Sequence, residues 1–455
     1  MSQEVVKGYK QTEIGSIPLD WQLKELRDVC IKIQDGNYGA FYPKSSEFIS
    51  YGVPFLTSKV LGKAGNINFN KVDYISNEKH KVLLKAHLEL NDVLFTNRGA
   101  SVGAIGYVDA RISNGNIGPQ LTLLRVNSFV DSLYLFQIMK SSWVQKQILS
   151  QDSGSAMNFF GVGATGKFKL PIPDNINEQK IIANILTDVD ALICELEKLI
   201  AKKQAIKTAT MQQLLTGKTR LPQFALRENG TIKGYKQSEL EEIPEDWGVK
   251  TVYELAEKQK SQFDDGDWVE AEHITDRGIR LIQTGNIGIG QYVEKDTKKY
   301  IYPTSFEKLK CKELQKGDLL ICRLAEPAGR ACIFYNIGEQ RVITSVDVTI
   351  FRPSSYLADR KFYVQYFSFD VWFKSVLEQV GGTTHKRISR GALGRISVPY
   401  PSIQEQTAIA TILSDMDSEI QALEKRLVKT GQIKQGMMQE LLTGKTRLLQ
   451  GTVNT

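Results

Sequence analysis

The stretch best equipped to meet an anionic polymer is Gly381–Arg395, GGTTHKRISRGALGR, in which Thr384, His385, Lys386, Arg387, Arg390 and Arg395 crowd together between glycines. Lys and Arg neutralise phosphates, and Arg, Asn and Gln can bond base edges in pairs. The glycines would let backbone N–H groups approach a phosphate. A stretch in the first half, Gly154–Lys169 (GSAMNFFGVGATGKFK), carries Ser155, Asn158 and Lys167. Tyr38, Lys44, Lys59 and the Asn97-Arg98 pair of FTNRGAS extend the first candidate set; Thr284, Asn286, Arg323 and Arg330 extend the second. An ordinary charged surface explains most Lys and Arg in any protein, so the segments weigh more than single residues. The net charge of +7 is compatible with a nucleic-acid partner without establishing one.

Other chemistries are poorly represented. TGKT at Thr216–Thr219 and Thr443–Thr446 has the end of a phosphate-binding loop, but the glycine five positions before Gly217 and Gly444 is replaced by Gln212 and Gln439, and the motif follows a helical pattern instead of preceding one. It reads as a helix cap. Gly285–Gly290 (GNIGIG) lacks dinucleotide-loop spacing and reads as a turn. His80, His87, His273 and His385 form no metal-ligand pattern, so no metal is expected. No adenine-methylase tetrapeptide, nuclease cluster or repeated Ser/Cys–His set occurs, so no catalytic residue is assigned. The cysteines, Cys30, Cys194, Cys311, Cys322 and Cys332, show no CxxC spacing and read as reduced thiols of a cytoplasmic protein. The first residues lack the apolar run of a signal peptide, and no apolar run is long enough to span a membrane.

What must position these loops is a duplication. Asp174–Leu221 aligns without a gap on Pro401–Leu448, with 26 identities in 48 positions, and both copies close on LLTGKTR. Gly8–Trp21 (GYKQTEIGSIPLDW) returns as Gly234–Trp247 (GYKQSELEEIPEDW). Between these anchors the halves diverge but keep step: Gly52–Leu56 faces Gly278–Ile282, Tyr74-Ile75 faces Tyr300-Ile301, Asp92 falls on Asp318, and Leu121–Arg125 faces Val348–Arg352. Short apolar runs between turn residues predict strands, with helices near Ser132–Leu149 and Asp359–Gln379. The fold class is therefore α+β: two similar α/β domains separated by two long helices. The boundaries read as 1–173 for the first domain, 174–221 for the central helix, 222–400 for the second domain and 401–455 for the last helix and tail.

Each long stretch carries a heptad seam. In the first it comprises Ile182, Ile185, Val189, Leu192, Leu196, Leu199 and Ile206. In the second it comprises Ile409, Ile412, Met416, Ile420, Leu423, Leu427 and Ile433. Helices of about 40 residues would be about 60 Å long. Gly217 and Gly444 suit the residue that ends a helix in the left-handed conformation. Gly431 and Gly436 read as tolerated interruptions. A single apolar stripe must be buried, and the other copy is the obvious partner. The repeat then requires antiparallel helices, a domain at each end, and a C-terminus beside the N-terminus.

Taken together, Ile17-Pro18-Leu19-Asp20-Trp21 and Ile243-Pro244-Glu245-Asp246-Trp247, the E-Q-x-x-I-A-x-I-L openings at Glu178-Gln179 and Glu405-Gln406, and the LLTGKTRL closures make the chain resemble the specificity subunit of type I restriction–modification systems, over essentially its whole length. That resemblance implies two target-recognition domains, each reading one part of a bipartite, asymmetric site in double-stranded DNA. It further implies a coiled coil that sets the spacer and docks two methylase subunits, with restriction subunits able to join. S-adenosylmethionine, ATP and Mg would belong to those partners, and this chain would hold no cofactor. A stand-alone DNA-modifying enzyme and a coiled-coil scaffold without a DNA role are the alternatives.

Overall fold

The computed structural model describes residues 7–62, 65–150, 159–324, 326–381 and 386–448. It divides into two units, Met1–Glu197 with Lys425–Thr455, and Lys198–Glu424. Each unit therefore takes part of both long helices, Ile176–Leu214 and Ile403–Leu441, which contain 39 residues apiece.

The two units repeat one topology. In the first, an antiparallel sheet runs in the order Cys30–Asp35, Leu121–Val126, Val93–Thr96, Ile105–Tyr107. A second sheet runs Asn116–Ile117, Val53–Leu56, Asp73–Ile75, Phe48–Ile49, with its first pair parallel. The second unit repeats both orders, as Phe263–Asp265, Val348–Phe351, Leu319–Cys322, Ala331–Ile333 and as Val342–Thr344, Ile279–Ile282, Lys299–Ile301, Ile274–Thr275. The runs expected as strands are all among those found, while Cys30–Asp35, Ile105–Tyr107, Phe263–Asp265 and Ala331–Ile333 go beyond that expectation.

Val93–Thr96 and Leu319–Cys322 are buried at every position. Side chains alternate across a strand, so a continuous apolar run needs cover on both faces. Phe95 and Val93 join the core built on Trp21, Tyr134 and Ile182, whereas Leu94 turns to the cluster of Leu56, Ile117 and Leu123. Asp92 and Asp318, both fully buried, are each held by a two-pronged arginine. Arg125 reaches Asp92 at 2.8 and 2.9 Å, and Arg352 reaches Asp318 at 2.7 Å twice. A buried carboxylate is tolerated only when paired and hydrogen-bonded in this way.

The repeated motifs meet at the helix ends. In the first unit Arg447 donates to Glu178 at 2.7 and 2.9 Å and to Asp20 at 2.8 and 2.7 Å, while Trp21 Nε1 lies 3.4 Å from the same Glu178. In the second Arg220 donates to Glu405 and Asp246, and Trp247 Nε1 bonds Glu405 at 2.9 Å. Gly217 and Gly444 take φ of +72° and +69°, the left-handed cap expected of TGKT. A Cβ on Gly444 would stand 2.4 Å from Pro18 Cγ, and one on Gly217 2.5 Å from Pro244. Tyr9 Oη donates to Gly444 O at 2.9 Å, so the C-terminal cap lies against the first hairpin, as the repeat requires.

The long helices run antiparallel within each unit. Asp190 pairs with Lys434 and Glu178 with Arg447 in one; Lys207 pairs with Asp417 and Arg220 with Glu405 in the other. The seam differs from the heptad reading. Ile182, Leu196 and Ile420 are buried, Ile409 too, while Leu192, Leu199, Ile206 and Ile433 are 41, 38, 42 and 49 % exposed. Leu186, Ile200, Met211 and Leu214 take the inner positions of the first helix instead, and Thr430 does so in the second. A helix with 3.6 residues per turn drifts by about 20° per heptad, which carries a strict seven-residue stripe off the seam. A Cβ on Gly431 or Gly436 would meet nothing within 4 Å, consistent with tolerated interruptions.

Paired polar ties join each domain to its helices. Gln137 and Lys140 bond Asp190 at 3.1 and 2.8 Å, and Gln365 bonds Asp417 at 2.7 Å. Burial lowers the Lys140 ammonium to about 8, against the pull of Asp190. None of these ties was legible in the apolar pattern. No helix among the described residues is long and apolar enough to cross a membrane, and the five cysteines are free.

Candidate nucleic-acid interface

In each unit the candidate loops rise from a buried polar node at the edge of the antiparallel sheet. In the first unit Thr122 Oγ1 donates to Asp35 Oδ1 at 2.6 Å. Asn97 Nδ2 reaches Asp35, Thr122 and the Pro119 carbonyl at 3.0, 3.0 and 3.1 Å. In the second, Thr349 donates to Asp265 at 3.0 Å and Arg323 takes the place of Asn97, 3.1 Å from Asp265. Gly36 and Gly266 follow the two aspartates, and a Cβ there would strike backbone oxygens at 2.1 and 2.4 Å. The nodes share a plan but differ in one side chain, which changes how the loops above them are tied.

Several residues expected to read DNA are engaged inside the protein. Asn97, Asn286 and Arg323 are buried. Asn286 bonds Gln283 N and Val293 O, holding the turn that GNIGIG begins. Arg323 donates to the carbonyls of Ile388 and Val346 at 3.2 and 2.6 Å, and burial lowers its pKa against the opposing pull of Asp265. Arg330 donates to the carbonyls of Ile287, Leu324, Pro327 and Thr284, at 2.6 to 3.1 Å. Thr284 takes part through its own carbonyl. Asn97, Asn286 and Arg323 thus lie inside the protein and shape its loops, while Thr284 and Arg330 stay partly exposed. Arg330 spends four of its five N–H donors on these carbonyls, which fixes its guanidinium to the loop.

Other candidates do face solvent. Tyr38, Lys44 and Lys167 are exposed. Lys59 is half exposed and pairs with Asp73 at 2.6 Å. Arg98 lies 4.3 Å over the ring of exposed Phe159, a stacked pair at the rim of the first node. In the second unit Arg387 pairs with Asp347 at 2.8 Å and Arg390 with Asp264, while Lys386 is exposed. The basic segment is tied down where Ile388 N bonds Arg323 O at 3.1 Å. Arg323, Arg387 and Arg390 thus converge on Asp264, Asp265 and Asp347, a balanced cluster and not a bare basic patch. Ser155, Asn158, Thr384 and His385 lie outside the described residues. No group of three or more His, Cys, Asp or Glu that could hold a metal is present among the described residues.

A family model described as the type I restriction modification DNA specificity domain matches residues 18–208 and again 244–430. The chain belongs to this family. A specificity subunit with two target-recognition domains accounts for the doubled sheets and doubled helix clamps. Among curated proteins, the chain is 27% identical over 452 residues to the putative type I restriction enzyme MjaX specificity subunit of Methanocaldococcus jannaschii, covering 97% of both chains. It is 25% identical to the MjaVIII specificity subunit of the same organism, covering 97% of this chain and 96% of that one. Among solved structures, the crystal structure of the type I S subunit from M. genitalium shares the fold at TM-score 0.58 and 16% identity, over 92% of this chain and 96% of that one. A chain from a structural study of complex assembly and conformational transition in the type I R-M system matches at TM-score 0.52 and 14% identity, over 94% and 99%.

The sequence reading of this specificity subunit passed over Phe159 and Trp268. Trp268 is 69% exposed and follows Asp265-Gly266-Asp267, as Tyr38 follows Asp35-Gly36-Asn37. The offset there is 230 positions, four more than at the flanking GYKQ anchors. Allowing a gap of four between Val29 and the strand that ends at Asp35 would have aligned the two aromatics.

Proposed function

We propose that this specificity subunit is a sequence-specific reader of double-stranded DNA. Each target-recognition domain (1–173 and 222–400) reads one half of a bipartite, asymmetric site. The long helices, 174–221 and 401–455, set the spacer and dock two methylase subunits, to which restriction subunits can be added. The observation that carries this reading is the pairing of one repeated framework with two unlike rims. Both domains keep the Asp–Thr node and the same sheet orders, yet one rim presents Arg98 on Phe159 and the other presents Lys386, Arg387 and Arg390. Equal scaffolds with unequal contacts suit two different half-sites, and the helices between them suit a fixed gap. Exposed Leu192, Leu199, Ile206 and Ile433 offer apolar surface for methylase docking.

Catalysis is assigned to the partners. S-adenosylmethionine, ATP and Mg are placed on the methylase and restriction subunits, and base extrusion on the methylase. The test is selection from a random duplex pool by the chain assembled with its methylase. An enriched gapped sequence of two unlike halves is the expected result. Binding without sequence bias would favour a scaffold role, and methylation or cleavage by the isolated chain would favour a stand-alone enzyme.

A further inference from the structure

The two exposed aromatics at the polar nodes are held outward by equivalent anchors. Asn37 is buried, its Nδ2 donates to the Lys85 carbonyl at 2.7 Å, and Tyr38 follows it, 62% exposed, with the Lys85 ammonium 5.4 Å from its ring centre. In the other unit Asp267 Oδ2 accepts from the Lys312 backbone N–H at 2.8 Å, and Trp268 follows it, 69% exposed. Asn37 and Asp267 each lie one residue beyond a glycine that a Cβ would drive into backbone. Single exposed aromatics are common on protein surfaces. Two at one topological position, each anchored through the residue before it to the backbone of an equivalent lysine, mark a built feature. Of the acidic side chains that precede Trp268, Asp264 pairs with Lys312 and Arg390 and Asp265 with Arg323, while Asp267 takes the Lys312 backbone N–H.

Resting on the DNA-reading function proposed above, we infer that Tyr38 and Trp268 are matched aromatic contacts, one per target-recognition domain, each packing its ring on a base or deoxyribose of its own half-site. Aromatic rings pack on nucleobases whatever the sequence, so one position can serve two different half-sites. The neighbouring rim residues then supply the discrimination.

The test uses the full chain assembled with its methylase and the duplex selected by the wild type. Tyr38→Ala and Trp268→Ala should each weaken binding about tenfold or more, while Tyr38→Phe and Trp268→Phe stay near wild type. Thermal unfolding should be unchanged in all four. On duplexes scrambled in one half-site each alanine variant should keep the wild-type ratio of discrimination, because the rim residues carry it; a lost ratio would assign the sequence reading to the rings themselves and overturn the division of roles. Trp21, Trp247 and Trp372 are fully buried and the partly buried Trp143 is common to both proteins, so the difference in fluorescence between wild type and Trp268→Phe isolates Trp268, and DNA should shield that component from acrylamide. A wild type that selects no gapped sequence overturns the DNA-reading function and this inference with it. A wild type that selects one, alongside alanine variants of undiminished affinity and a Trp268 still open to acrylamide, overturns this inference alone.

Discussion

The Arg447 guanidinium grips Glu178 at 2.7 and 2.9 Å across 269 residues of chain, and Arg220 grips Glu405 at the same two distances. Both glutamates are 2% exposed. Each pair joins the cap of one long helix to the first turn of the other. The repeated TGKTR, E-Q and D-W motifs are thus the parts of one clamp built twice.

Arg447→Ala would leave Glu178 buried with only the long Trp21 contact. Removing one partner of a buried pair costs about 3–5 kcal/mol, and the partial exposure of Arg447 places this case at or below the lower end. Thermal unfolding with limited proteolysis should show the first unit opening early while the second is unchanged. Arg220→Ala should reverse the pattern, and loss of both units in either variant would contradict two separate clamps.

Glycine replacements should differ in sign. Gly444→Ala meets Pro18 at 2.4 Å in a left-handed backbone, and should cost about 1–2 kcal/mol before any overlap is relieved. Gly436→Ala lies in a helix with nothing near its Cβ and should gain roughly 1 kcal/mol. Denaturant midpoints of the two variants decide the matter.

Acid should weaken the second clamp in a defined window. Burial pushes the Asp246 carboxyl up, but hydrogen bonds from Arg220 and Lys233 outweigh it and hold the group at about 2, against an ordinary 3.8. A depressed folded value means the contribution is complete above the unfolded value and disappears as pH falls from near 4 towards 2. Urea midpoints of wild type and Asp246→Asn should differ most at pH 5 and converge as pH approaches 2. A gap independent of pH would rule out this linkage.

The phase of the helix seam can be read by substitution. Leu196→Asp places a charge at a buried position and should unfold the helix pair, while Leu192→Asp, at a position 41% exposed, should fold normally. Circular dichroism melts distinguish them. If the helices dock methylase as proposed, Leu192→Asp should still lose co-purifying methylase.

Two arginines separate loop shaping from DNA contact. Arg323→Ala removes bonds to Ile388 and Val346 and should lower the stability of the second unit. Arg387→Ala loses only a partly exposed pair with Asp347 and should leave folding and assembly intact while weakening DNA binding. Equal melting curves for the two variants would count against this division of roles.

The sequence alone determined the duplication, the strand-by-strand correspondence of the halves, the long helices and their glycine caps. These follow from local rules: apolar period, turn residues and backbone conformations that glycine adopts freely. Even Asp92 over Asp318, with an arginine at the end of each following strand, was visible as alignment. Only the tertiary structure decided which polar side chains remain available. Asn97, Arg323 and Arg330 look in sequence like Tyr38 and Arg387, yet the first three saturate internal acceptors and the last two reach the rim. The same holds for Leu192 and Leu196, alike in type and near in sequence, one turned out and the other in. A buried polar group must find its partner wherever the fold brings one, for Asn97 and Arg323 as far as 62 and 65 residues away, and no local pattern encodes that choice.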